Sequence, residues 1–98
     1  MDRNEAKQIL DRYLVELRRV SYRELAYRMH EQQTQAFETV GPSGKYYQLE
    51  QDIRWDLKPE GNIRVIMSIN DGRFLSSLYP LTKSFIKAAD DSFVGEST

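Results

Sequence analysis

Apolar residues near the start of the chain recur at intervals of three and four positions, which is the spacing of one face of an α-helix. This stripe runs from Ala6 to Val20. Asp2 precedes it and Glu5 stands three positions later, an arrangement that is typical of a capping box at a helix N-terminus. The pattern therefore predicts a first helix over about residues 3–20.

A second capping pattern follows directly, because Ser21 is followed at the third position by Glu24. A narrower apolar stripe continues beyond it through Leu25 and Met29. The first helix should therefore stop near Val20, and a short second helix should cover about residues 22–32.

After Gln33 the helical spacing gives way to alternation, which indicates β-strands with one buried face. The alternation is clearest from Tyr47 to Leu57, where the odd positions are mostly apolar, Trp55 among them, and the even positions are polar. Turn-forming residues separate the runs. The predicted sheet covers about residues 34–79, with strands at 34–40, 47–57, 63–69 and 73–79.

The C-terminal segment, residues 80–98, fits two structures. The spacing of Leu81, Phe85 and Ala88 suits a short helix, whereas the apolar run around Phe85 would equally extend the sheet. We predict the short helix. The expected fold is an α+β domain in which two N-terminal helices pack on one face of a four-stranded antiparallel meander.

The composition indicates one soluble globular domain spanning residues 1–98. Apolar residues make up 40% of the chain and charged residues 30%, which excludes a disordered tail and a membrane span. The chain has no cysteine, which excludes a disulfide scaffold, a thiolate metal site and a cysteine nucleophile. The N-terminus is polar and has no apolar signal region, so we expect a cytoplasmic protein.

The charge selects no class of partner, since 14 basic and 15 acidic residues leave a net charge of −1. Nucleic-acid binding needs basic residues concentrated on one surface. The segment Val20–Met29 resembles the first helix of a helix-turn-helix domain, but no basic second helix follows it. We therefore expect no nucleic-acid partner and keep a weak nucleic-acid-binding domain as an alternative.

Residues with catalytic or ligand-binding chemistry are few. His30 is the single histidine, and we expect it at the surface near the end of the second helix. The loop Gly41–Lys45 contains two glycines and a lysine, but it joins two strands and leads into no helix that could receive a phosphate. We predict no catalytic residue, no cofactor and no bound metal.

Three carboxylates offer an alternative, because Glu50, Asp52 and Asp56 alternate along one strand face and could together hold a hard cation. A small metal-dependent hydrolase would use such a cluster. However, Arg54 lies among these acids and Arg64 is expected on the neighbouring strand, so a salt-bridged, solvated sheet face is the simpler interpretation.

Short sequence motifs of strand and turn residues lie in the last two-thirds of the chain. They are Gly44–Glu50, Trp55-Asp56, Ile63–Val65, Ile69–Gly72, Pro80–Ile86 and Ser92–Glu96. In these motifs residues 41–96 resemble a small bacterial family of uncharacterised single-domain proteins. Ser92 stands where that family has a turn glycine. The resemblance implies a fold and a bacterial, intracellular origin, and it carries over no catalytic residue.

The polar residues pair with one another without assembling a nucleophile, a base and an orienting group. We therefore predict a non-enzymatic protein-interaction or regulatory module that binds through the polar face of the sheet. Arginine and tyrosine, which are enriched at binding hot spots, lie on this face. Its predicted contact residues are Tyr46, Gln48, Asp52, Arg54 and Arg64. A homodimer formed by pairing edge strands is a further expectation.

Overall fold

Two helices precede four strands in the computed structural model, which describes residues 1–73 and 79–96. The elements are α1 (Arg3–Arg18), α2 (Tyr22–Glu31), β1 (Thr34–Val40), β2 (Tyr46–Trp55), β3 (Ile63–Asn70) and β4 (Leu81–Lys87). The strands pair antiparallel in the order β1-β2-β3-β4 and form one sheet. The predicted α+β architecture is therefore confirmed.

Side-chain caps start both helices at the predicted residues. The Asp2 carboxylate accepts the Glu5 backbone N–H at 3.0 Å, and the Ser21 hydroxyl oxygen accepts the Glu24 backbone N–H at 3.1 Å. Each cap satisfies a backbone donor that has no partner within the helix. The carboxylate of Glu5 bonds to the β1–β2 turn, as described below.

The core lies between the helices and one face of the sheet. Helix α1 packs over β3 and β4, and α2 packs over β2 and β3. Trp55 is half-buried on this face, with its ring centroid 6.4 Å from that of Tyr22. Within residues 1–73 and 79–96, the buried apolar side chains are Ala6, Ile9, Leu10, Leu14, Leu17, Leu25, Tyr47, Leu49, Ile53, Ile63, Val65, Met67, Ile69 and Phe85.

Residues 81–87 form the edge strand β4, so the predicted C-terminal helix is wrong. Leu81 and Phe85 lie on the core face of β4. Lys83 and Lys87, each two positions further along, point to the same side of the strand. Inward-facing lysines obscure the alternation that identifies a strand. The strand predicted at 73–79 falls mainly on residues 74–78, which lie outside the described residues.

The chain beyond β4 turns back along that strand. Asp91 takes the left-handed conformation, with φ of 70°, and the Val94 N–H donates to the Ile86 carbonyl at 2.9 Å. Aspartate is one of the few residues other than glycine that adopts this conformation at modest cost. Phe93 then lies beneath the Arg18 guanidinium, with the centroid of its ring 3.9 Å from Arg18 Cζ. This return segment covers one end of the outer edge of β4.

Candidate interaction surface

The sheet face opposite the helices carries the even-numbered residues of the four described strands, and we call it the outer face. Neither helix packs on it, since both contact the sheet on the side of the odd-numbered residues. Its members are Thr34, Ala36, Glu38 and Val40 on β1; Tyr46, Gln48, Glu50, Asp52 and Arg54 on β2; Arg64, Ile66, Ser68 and Asn70 on β3; and Thr82, Ser84 and Ile86 on β4.

Two arginines lie side by side at one end of the outer face. Arg54 and Arg64 are direct partners in the register of β2 and β3. Like charges in such a position repel each other. Carboxylates offset this repulsion, because Arg54 pairs with Asp52 and the Arg64 Nε donates to Asp56 Oδ1 at 2.8 Å. Both guanidinium groups are therefore held in defined orientations.

Asp52 supports this end of the face from below. It is only 8% exposed, and it accepts hydrogen bonds from Arg54 and from the Thr34 hydroxyl, the latter at 3.4 Å. Its carboxylate is therefore occupied within the domain. The sequence prediction included Asp52 among the contact residues, whereas in the structure it orients Arg54.

Two isoleucines adjoin the arginine pair. Ile66 lies opposite Asp52 in the register, and Ile86 lies opposite Arg64. Both side chains are half-buried. Sequence reasoning missed Ile86 because it assigned that stretch to a helix, and it left Ile66 out because only the inward alternation of β3 was considered. An apolar centre bordered by charged groups is the usual arrangement of a protein-binding surface.

An exposed tyrosine marks the other end of the face. Tyr46 is 67% exposed and lies directly across from Val40, which is 53% exposed. Gln48 is exposed beside them. Since a strand advances about 3.3 Å per residue, Tyr46 and Arg54 are roughly 26 Å apart. The predicted residues Tyr46, Gln48, Arg54 and Arg64 thus share one face and span the length of β2.

The alternative carboxylate site does not assemble. Glu50 is exposed, while Asp52 and Asp56 are each paired with an arginine. Within residues 1–73 and 79–96, no three histidine, cysteine or acidic side chains come together in a group that could hold a metal ion. The same ion pairs neutralise the two arginines of the outer face, so this end of the sheet presents no unbalanced basic patch.

A second cluster of polar groups, which sequence reasoning missed, joins α1 to the β1–β2 turn. Glu5 Oε1 accepts hydrogen bonds from the Tyr47 hydroxyl at 2.5 Å and the Ser43 hydroxyl at 2.7 Å, and Oε2 accepts the Ser43 N–H at 2.9 Å. These hydrogen bonds lower the pKa of Glu5, and the bond from Tyr47 has the largest effect. Burial, followed by the hydrogen bond to Glu5, raises the pKa of Tyr47.

Gly41 explains how closely that turn approaches the helix. A Cβ atom at this position would lie 2.8 Å from the Glu5 carboxyl carbon, so only glycine fits without displacing the carboxylate. The one sequence signal for the cluster is the predicted burial of Tyr47, because a buried tyrosine hydroxyl needs a hydrogen-bond partner. The cluster fixes the turn that leads into Tyr46, and it thereby orients one end of the outer face.

Comparisons with known proteins add no further assignment: no family model, no curated protein and no solved structure matches this chain. The resemblance of residues 41–96 to a bacterial family therefore stays a prediction. In the described part of the chain, neither helix combines the length and the apolar character that crossing a membrane requires.

Proposed function

We propose that this domain is a protein-interaction module that binds its partner through the outer face of the sheet. The observation that carries the proposal is the arginine pair, Arg54 and Arg64, set beside the half-buried Ile66 and Ile86 on a face that neither helix covers. The module would act in the cytoplasm of a bacterial cell, as the resemblance of residues 41–96 implies.

The chemistry of these residues favours binding a protein. Arginine and tyrosine supply much of the affinity at measured interfaces, where they surround or enter apolar centres. Ordering long side chains on binding costs free energy, and this cost is smaller when the side chain is already oriented. Asp52 and Asp56 orient the two guanidinium groups in the free domain, so a partner would meet a surface that needs little rearrangement.

The experiment compares capture by the full chain with capture by two double variants. The outer-face variant combines Tyr46→Ala with Arg54→Gln, which removes one exposed ring and one charge. The control combines Tyr27→Ala with Arg23→Gln, the same residue types at exposed positions on α2. Circular dichroism and thermal unfolding verify that both variants fold.

Proteins captured from a lysate of the source organism would be quantified by mass spectrometry. We expect a partner that the wild type and the α2 control retain and the outer-face variant loses, with its dissociation constant for the purified domain raised at least about tenfold. Equal capture by all three proteins, or capture lost only with the α2 control, would place the contact elsewhere and contradict the proposal.

A further inference from the structure

Among the described residues, strand β1 forms one edge of the sheet, and half of its backbone hydrogen-bonding groups point away from β2. The backbone carbonyl of Gln33 accepts the Ile53 N–H at 3.0 Å, and the Gly41 N–H donates to the backbone carbonyl of Lys45 at 2.8 Å. In the antiparallel register between these two bonds, the odd-numbered residues of β1 bond to β2. The N–H and C=O groups of Thr34, Ala36, Glu38 and Val40 therefore point away from the sheet, and no described segment pairs with them.

This edge has few of the features that usually prevent strands from pairing between molecules. Strand β1 is seven residues long, its register against β2 has no bulge, and it contains no proline, lysine or arginine. Glu38 is its single charge. At the opposite edge of the sheet, the return segment covers one end of β4 through the bond from Val94 to Ile86. The β1 edge is thus the better template for an added strand.

We infer that β1 pairs antiparallel with β1 of a second copy of this chain, about a two-fold axis at Phe37. This register places Thr34 opposite Val40 and Ala36 opposite Glu38, so every outward-facing residue of β1 meets an outward-facing residue of the second copy. An axis at Glu38 would set the two glutamates against each other, and an axis at Ala36 would leave outward groups unpaired at one end.

The aromatic residues beside the edge suit the same axis. Phe37 is half-buried on the helix face, where its ring meets Tyr13 edge to face at 5.2 Å between centroids. The two-fold places Phe37 directly opposite its counterpart in a pair that is not hydrogen-bonded, where the Cα atoms are only about 4.5 Å apart. Each phenylalanine would then gain an aromatic neighbour across the axis.

Pairing at β1 would join the two sheets into one, with both outer faces on the same side. The dimer would offer two copies of the outer face, although the pairing itself does not depend on the proposed function. A measurement of the oligomeric state therefore tests this inference, whereas partner capture tests the proposed function of the outer face.

Sedimentation of the full chain over a range of micromolar concentrations gives the first test. We expect a reversible dimer of twice the 11.5 kDa monomer mass. Ala36→Pro removes a backbone donor that faces away from β2, so the monomer keeps its internal ladder. The variant should raise the dimer dissociation constant about tenfold or more, because one hydrogen bond is lost from each copy. A wild type that stays monomeric throughout, or an unchanged dimer in the folded proline variant, would overturn the inference.

Disulfide cross-linking tests the register without depending on the proline variant. The chain has no cysteine, so Ala36→Cys and Glu38→Cys each introduce a single thiol. In the inferred register these two residues form a hydrogen-bonded pair with Cα atoms about 5.5 Å apart, which is within disulfide range. A mass tag on one variant identifies mixed products.

Mild oxidation of an equimolar mixture should give the mixed disulfide in several-fold higher yield than either variant gives with itself, because identical residues face each other only diagonally. Self-linking of either variant at the yield of the mixture would refute the axis at Phe37. Absence of the mixed product at concentrations where the variants sediment as dimers would refute pairing through β1.

Discussion

Lys87 gives the sharpest test of how the C-terminal strand is held to the first helix. Its side chain lies on the core face of β4, where the residue is only 4% exposed. Nζ donates to the carbonyl of Arg18, the last residue of α1, at 2.8 Å and to the carbonyl of Val20, just beyond that helix, at 2.7 Å. Carbonyls at a helix C-terminus have no partners within the helix and carry the negative end of its dipole, so a cation is favoured there.

Lys87→Met keeps most of the aliphatic stem and removes both hydrogen bonds. A hydrogen bond that involves a charged group contributes about 1.5–3 kcal/mol, and the variant also regains the cost of burying the ammonium group. We therefore expect the free energy of unfolding to fall by about 2–4 kcal/mol. A domain of 98 residues has a total stability of about 5–15 kcal/mol, so this loss is a large fraction of it.

Lys83→Met is the matched control, since Lys83 points to the same side of the same strand. It reaches Asp11 of α1 at the surface, where both side chains are more than one-third exposed. Exposed ion pairs contribute about 0–1 kcal/mol. Urea denaturation followed by circular dichroism measures both variants against the wild type. Losses that agree within about 0.5 kcal/mol would refute the assigned role of Lys87.

Two further predictions concern the Glu5 cluster and the faces of β4. Because the folded protein holds the pKa of Glu5 below its ordinary value of 4.5, its stabilising effect is fully present above pH 4.5 and is lost as the pH falls through the lowered pKa. Thermal unfolding should therefore show Glu5→Gln less stable than wild type at pH 7 and nearly equal to it in strong acid; a difference that persists unchanged at low pH would contradict this role. For β4, Phe85→Ala should cost about 3–5 kcal/mol and its neighbour Ile86→Ala about 1 kcal/mol, since only Phe85 faces the core. If urea denaturation showed similar losses of stability for the two variants, the assignment of opposite faces of β4 to Phe85 and Ile86 would be refuted.

Local signals were sufficient for the helices and the first three strands. Asp2 and Ser21 cap helices at the residues where the sequence placed them, and both caps involve groups only three positions apart. The turn at Gly41–Lys45 and the alternation of β2 are equally local. Such patterns depend on backbone geometry and on the period of burial, which a sequence displays directly.

The fourth strand could not be assigned in the same way. Lys83 and Lys87 occupy inward positions, so the alternation of β4 looks irregular until α1 supplies Asp11 and the carbonyl oxygens of Arg18 and Val20 as their partners. Those partners lie far away in the sequence. For the same reason the sequence did not place Ile86 on the outer face. Its side chain points there because its neighbours Phe85 and Lys87 point toward the helices.

The sequence by itself determined an α+β chain with one covered sheet face, and it selected Tyr46, Gln48, Arg54 and Arg64 as residues of the other face. Only the tertiary structure decided that the Asp52 carboxylate accepts hydrogen bonds from Arg54 and Thr34 and that the Glu5 carboxylate bonds to the β1–β2 turn. It also decided that no other described segment pairs with the edge of β1. The physical reason is range: periodicity and capping act between neighbours, whereas a buried polar group or a free edge is defined by which distant segments reach it.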